Sequence, residues 1–187
     1  IGCCIIVEID GEDDAALEAQ ARRMEDVAKR CGVYQFRVAQ SQQESDELWA
    51  IRRGLSSAIA SLVPNRLGED ISVPRDAFPE VVRRISAIAE KHKLTIAVYG
   101  HAGDGNIHPS VLCDLSKPGE EERVHRAVEE IFDATLAVGG TLSGEHGIGI
   151  TKRPYIAKAR GGAGVKALGA VRQARDPTGL LNPGKIW

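Results

Sequence analysis

LTIAVYGHAGDGNIHPSVLC, Leu94 to Cys113, decides the fold of this chain. The segment from Leu94 to Gly100 is rich in β-branched residues and reads as a strand. Residues 107–113 read as a returning strand. Asp104-Gly105 between them is a turn signal, because glycine accepts positive φ without steric cost. The stretch is therefore expected to be an antiparallel hairpin. In that hairpin His101 and His108 lie at facing ends of the two strands, and both imidazoles can point to one side and share a cation. A helix is disfavoured by the glycines at 100, 103 and 105. Gly103 and Gly105 also allow another backbone or a ligand to approach closely.

The flanking pattern alternates strands and helices. "EDISVP" is a short strand. The spacing predicts a helix over 76–92, with Val81, Val82, Ile85, Ile88 and Ala89 inward. A long helix over 118–138 starts at Pro118 with acidic residues in its first turn and stops at Gly139-Gly140. Nearer the start, residues 3–9 read as a buried strand, and Asp13 and Asp14 cap a helix over 15–30 that ends at Gly32. "VYQFRVA" reads as a half-buried strand. Ser41 and Glu44 make a capping box. The helix that follows carries Leu48, Ile51, Leu55, Ile59 and Leu62 along one face and ends by Pro64. A further helix spans about 162–175, and "DPTGLLNPGK" is turn chemistry. The expectation is one α+β domain over 1–187: a ferredoxin-like antiparallel sheet with helices packed on one face.

The 187 residues are 43 % hydrophobic and 27 % charged, enough to bury a core. A net charge of −2 gives no broad attraction to nucleic acid or anionic membrane. No apolar run approaches the roughly 20 residues of a membrane span. Cys3, Cys4, Cys31 and Cys113 lack zinc-type spacing and read as buried, reduced thiols of a cytoplasmic protein. The opening "IGCCIIVEID", strand-like and without an initiator Met, raises the expectation of a piece cut from a longer protein.

A second glycine-rich stretch, GGTLSGEHGIG from Gly139 to Gly149, supplies Glu145 and His146. Two imidazoles and a carboxylate form an open ligand set suited to Zn²⁺, Mn²⁺ or Fe²⁺. In an extended segment Glu145 and His146 point opposite ways, so one binds metal and the other faces substrate. The other reading of these residues is a hairpin whose polar ends meet solvent, and it stays open here. His92 and His125 read as solvated helix residues. Arg52 and Arg53 follow Trp49 on the second long helix, and an arginine there can hold a carboxylate by two parallel hydrogen bonds. Lys152 is a weaker candidate for the same task, and a plain surface role fits both equally.

Taken in order, GHAGDGNIHP, GGTLSGEHGIG with Lys152 after it, and DPTGLLNPGK resemble the C-terminal domain of FAD-linked oxidases of the vanillyl-alcohol oxidase type. The branch of glycolate oxidases and D-lactate dehydrogenases is the nearest. The likeness runs from ELWAIRRG through EDISVPRDAFPEVVRRI to the end. It implies an N-terminal FAD-binding domain, absent from this chain, with the present domain capping the flavin and holding a small 2-hydroxy acid. It implies metal ligation by His101, His108 and Glu145, and His146 as the base. A histidine's ordinary pKa of about 6.5 suits that work. Arg52 and Lys152 are then the substrate-binding residues, and Asn182, Gly105 and Asn106 lie on the cofactor side. An electron-acceptor subunit is a further expected partner. Where hydroxyglutarate enzymes carry a Lys and an Asn, this chain has Gly68 and Ser110, which favours a small monocarboxylic acid. The resemblance also implies that the chain alone binds FAD weakly and turns over nothing. The rival readings are a metal-dependent hydrolase and a metal-free interaction module.

Overall fold

The computed structural model describes residues 3–186. The chain forms two compact units, Ile1–Ala58 and Ile59–Trp187.

In the first unit, α1 (Asp14–Arg30) begins where Asp13 accepts a 2.9 Å bond from the Ala15 N–H. It ends in a turn at Gly32, whose φ of 73° suits glycine. α2 (Gln42–Ala60) opens with a reciprocal cap. The Glu44 N–H donates to Ser41 Oγ, and the Glu44 carboxylate takes the Gln40 N–H at 2.7 Å. The two strands expected over 3–9 and 33–39 do not form. Both segments are irregular and largely exposed, Tyr34 at 96 %. A strand holds only where a neighbouring strand takes its N–H and C=O groups, and no strand pairs with either segment among the described residues. The expected apolar face of α2 is narrower than its spacing suggests. Ile59 is buried, but Ile51 stands in solvent and Leu62 lies past the helix end.

The second unit is built on β4 (Asn106–Cys113). β3 (Thr95–His101) pairs antiparallel along one side of it. β1 (Asn65–Gly68) and β2 (Ile71–Ser72) lie along the other in one unbroken register, Gly68 opposite Ser110 and Ile71 opposite Ile107. α3 (Phe78–His92) links β2 to β3, and α4 (Glu120–Ala137) follows β4. A single antiparallel bridge, Ser72 to Thr141, stands where one more strand, beside β2, would begin. This is the split β-α-β order expected of a ferredoxin-like sheet. α3 and α4 cover one face, where Val81, Ile85 and Ile88 meet Val124, Ile131 and Phe132 over Ile71, Ile107 and Val111. Phe132 packs its edge on Tyr155, centroids 4.9 Å apart. α5 (Ile156–Arg175) starts six residues earlier than its apolar spacing implies and breaks at Gly161. Of the four cysteines expected to be buried, Cys113 is, whereas Cys3, Cys4 and Cys31 are exposed. No helix among the described residues is long and apolar enough to cross a membrane.

Candidate functional site

The two-residue period of β4 separates its two tasks. Ile107, Val111 and Cys113 enter the core beneath the helices. Asn106, His108 and Ser110 alternate with them on the opposite face, and all three are buried. Directly opposed residues share a face, so Tyr99 (opposite His108) and His101 (opposite Asn106) join this polar side.

His101 and His108 therefore do not face each other directly, contrary to the simplest hairpin expectation. Four residues, 102–105, make the turn, and this offsets the two imidazoles to a diagonal. Their rings still meet edge to face, centroids 5.6 Å apart at 87°. Gly105 closes the turn at φ 73°, and its carbonyl accepts the Val73 N–H at 2.9 Å. A Cβ at Gly105 would stand 2.0 Å from the Val73 carbonyl oxygen, so glycine is required there by contact within the chain.

The Ser72–Thr141 bridge leads the chain into the second loop. Thr141 N–H donates to Ser72 O at 2.7 Å, and residues 143–146 then curl around the Asp70 carboxylate. The segment is not extended, so Glu145 and His146 do not diverge as a strand would force them to. Glu145 Oε1 lies 3.1 Å from His108 Nε2 and 3.7 Å from His146 Nε2. The His146 ring stacks on His108 at 5.2 Å and 19°. One donor atom from each of His101, His108 and Glu145 lies within 4.8 Å of the others. His108 forms a buried floor, while His101, Glu145 and His146 stand at an exposed mouth.

Charge is concentrated beneath that floor. Burial alone would raise the Asp70 carboxyl. The N–H groups of His146 and Glu145, with the Ser143 hydroxyl and Asn106 amide, outweigh burial and hold it far below the ordinary carboxylate range. Burial pushes Glu69 up, partly opposed by Lys152, and pushes Lys152 down, partly opposed by Glu69 and Asp70. Burial also lowers His108, against the pull of Asp70 and Glu145. The shift favours the neutral imidazole, the form a metal ligand needs. Two imidazole nitrogens and one carboxylate oxygen, with a neutral ring at the floor, fit a borderline divalent cation such as Zn²⁺, Mn²⁺ or Fe²⁺.

Lys152 points inward rather than toward the mouth. It is 4 % exposed and donates to the Asp70 carbonyl at 2.6 Å. Asn106 gives its amide N–H to Asp70 Oδ1 at 2.9 Å. Asn182 is exposed at φ 46°, in a turn tied back to the second loop's exit by Ile186 N–H on Gly149 O at 3.0 Å. Buried Asp176 shapes the same turn, accepting from Leu180 and Leu181 N–H groups. Arg52 sits half-buried on α2, in the first unit. Asp70 and Glu69 were missed by sequence reasoning. The signal was there: two adjacent acidic residues between the apolar Leu67 and Ile71, at the junction of β1 and β2.

The sequence profile described as "FAD linked oxidases, C-terminal domain" matches residues 1–186. This chain belongs to that family. The FAD-linked oxidase domain is 37 % identical over 183 residues to glycolate oxidase subunit GlcD of Bacillus subtilis, covering 98 % of this chain and 39 % of that protein. It is 30 % identical over 186 residues to a D-2-hydroxyglutarate dehydrogenase of Stutzerimonas stutzeri, covering 97 % and 40 %. A probable mitochondrial D-lactate dehydrogenase of Danio rerio matches at 29 % over 184 residues, covering 97 % and 37 %. The chain thus spans about two fifths of the length of these relatives. Among solved structures, 4-ethylphenol oxidase from Gulosibacter chungangensis shares the fold at TM-score 0.55 and 17 % identity, over 90 % of this chain and 37 % of that one.

Proposed function

We propose that this FAD-linked oxidase domain is the substrate-binding part of an FAD-dependent D-2-hydroxy-acid dehydrogenase or oxidase of the glycolate or D-lactate type. The observation that carries the reading is the convergence of His101, His108 and Glu145 on one point, with His146 stacked beside it. A flavin held by an N-terminal FAD-binding domain would serve as hydride acceptor, which is the cofactor's own chemistry. A divalent cation held by His101, His108 and Glu145 would supply Lewis-acid polarisation of the substrate's α-hydroxyl.

The chain's own residues do the rest. His146 Nε2, at the exposed mouth, receives the hydroxyl proton as general base, a role typically worth about 10² to 10⁴ in rate. As that O–H bond breaks, its electron pair forms the carbonyl of the 2-oxo acid and the α-hydrogen leaves with two electrons. Arg52 is the proposed clamp for the carboxylate. The Lys152 charge, which was expected beside it, acts in this reading from below, balancing Glu69 and Asp70. Gly105 and Asn106 shape the hairpin end of the site, and Asn182 faces the flavin side. Gly68 and Ser110 lie opposite each other and carry no charge of their own, the basis for proposing a small monocarboxylic acid. The proposal places the enzyme in the cytoplasm, passing electrons to a separate acceptor subunit.

The test is dye reduction by the full-length flavoprotein with glycolate, D-lactate and D-2-hydroxyglutarate, alongside metal analysis. The expected result is flavin-dependent turnover of a short hydroxy acid. His101→Ala should lose bound metal and most of kcat. Hydrolysis of a phosphate or amide without flavin would point to a metal-dependent hydrolase instead. Full activity in a metal-free protein would remove the cation from the proposal.

A further inference from the structure

We propose that Asp70 is the positioning residue of this site, holding residues 143–146 so that Glu145 and His146 are both turned toward His108. This deepens the proposed cation site, and only the metal arm of the test below depends on that site.

Asp70 sits at the junction of β1 and β2, where the unbroken register sets it opposite His108. The two side chains therefore share the polar face, with His108 Nδ1 3.9 Å from Asp70 Oδ1. Asp70 is fully buried, and its Oδ2 is crowded with donors. Oδ2 takes the Ser143 hydroxyl at 2.7 Å and the N–H groups of Gly144, Glu145 and His146 at 3.0, 3.0 and 2.8 Å. Oδ1 takes the Asn106 amide at 2.9 Å. Oδ2 carries four donors, more than its two lone pairs accept singly, and the candidate ligand atoms that cluster at the mouth belong to His101, His108 and Glu145. Asp70 thus positions the ligands and is not one of them. Successive N–H groups wrapped on one anion form a concave nest, here closed around an internal carboxylate instead of a ligand.

The sequence around the nest is fitted to it. Ser143 Oγ also accepts the Gly147 N–H at 2.7 Å, which closes the loop on itself. A Cβ at Gly144 would lie 1.9 Å from Asn106 Nδ2 and 3.0 Å from Asp70 Oδ1. A side chain at 144 would either push the Asn106 amide off the carboxylate or lift the chain away from it. The same carboxylate therefore grips β4 through Asn106, two residues from His108, and the second loop through the amides of Glu145 and His146.

The experiment uses the full-length protein and three variants: Asp70→Ala, Asp70→Asn and Gly144→Ala. Hydrogen exchange of the Gly144, Glu145 and His146 amides is measured together with that of α3 and α4. The expected result is at least about ten-fold faster exchange of the three amides in Asp70→Ala, with the helices unchanged. Asp70→Asn keeps one acceptor oxygen and should recover part of the protection. Gly144→Ala should lose protection although Asp70 is intact, which covers the case of an Asp70→Ala protein that does not fold. The second arm titrates metal-free protein with Co²⁺ and follows its visible bands. Affinity should fall roughly 10- to 100-fold in Asp70→Ala and Gly144→Ala, with altered bands. Unchanged exchange of the three amides in a folded Asp70→Ala, or in Gly144→Ala, would overturn the inference. So would faster exchange with an unchanged Co²⁺ spectrum and affinity. A wild-type protein that takes up no Co²⁺ defeats the cation site alone, and the exchange arm then decides Asp70's role.

Discussion

Replacing Lys152 with methionine removes the only cation within 4 Å of two buried carboxylates among the described residues. Its Nζ lies 3.7 Å from Glu69 Oε2 and 3.8 Å from Asp70 Oδ2. Asp70 keeps its five donors in the variant, so it remains ionised at little extra cost. Glu69 is buried too and has Lys152 as its ion-pair partner, so the loss falls on it. Removing one partner of a buried pair costs roughly 3–5 kcal/mol. At about 2–4 °C per kcal/mol for a chain of this size, Tm should fall by about 6–20 °C. The pH dependence separates this cause from lost packing. The Glu69 carboxyl is already raised by burial, and without Lys152 it rises further. A raised carboxyl favours the folded state below its unfolded pKa, and that contribution disappears as pH climbs through the folded value. The Tm deficit of Lys152→Met should therefore be large at about pH 7.5 and smaller near pH 5. The double variant Glu69→Gln/Lys152→Met should regain part of the loss, since the unpaired charge is gone. Calorimetry of the wild type and the two variants at both pH values is the assay. An equal deficit at both, with no recovery in the double variant, would show that the charge balance under the site is not what Lys152 provides.

Phe132→Ala empties a fully buried position and removes the edge contact to Tyr155. It should cost about 3–5 kcal/mol, read as a lower urea midpoint at unchanged m. Glu130 links α4 to α3 through Lys91 at 2.7 Å and His92 at 3.0 Å, which hold its carboxyl below the ordinary value. Because Glu130 is partly exposed, Glu130→Gln should cost no more than about 1 kcal/mol at neutral pH. That difference should vanish as pH falls through the depressed Glu130 pKa, which denaturation of both proteins across acidic pH would check.

Part of this structure is written locally. The helix α3 appears as Val81, Ile85 and Ile88 at helical spacing, and the α1 and α2 starts as Asp13 and the Ser41–Glu44 box. Backbone preference and side-chain period act within a few residues, so they can be read without the rest of the chain. The same locality explains the failures. Residues 3–9 and 33–39 have strand-like composition, but composition cannot provide a neighbour for their backbone groups. α5 begins at Ile156 although apolar spacing starts it near 162, because spacing does not register a helix that breaks at Gly161 and resumes.

For the site, the residue types and their order were legible: His101, His108, Glu145 and His146 stand in two glycine-rich stretches, and glycine at 105 follows from the turn itself. Their geometry was not. The diagonal offset of the two imidazoles depends on how many residues the turn uses. The turning of Glu145 and His146 toward one ring depends on Asp70, 73 residues before Ser143. Lys152 carries the same charge whether it faces a substrate or the interior, and only the burial of Glu69 and Asp70 draws it inward. Local chemistry chose the candidate ligands, whereas the β1–β4 register and the Ser72–Thr141 bridge brought them together. Contacts between distant segments are fixed by the packing of the whole unit, which no short stretch encodes.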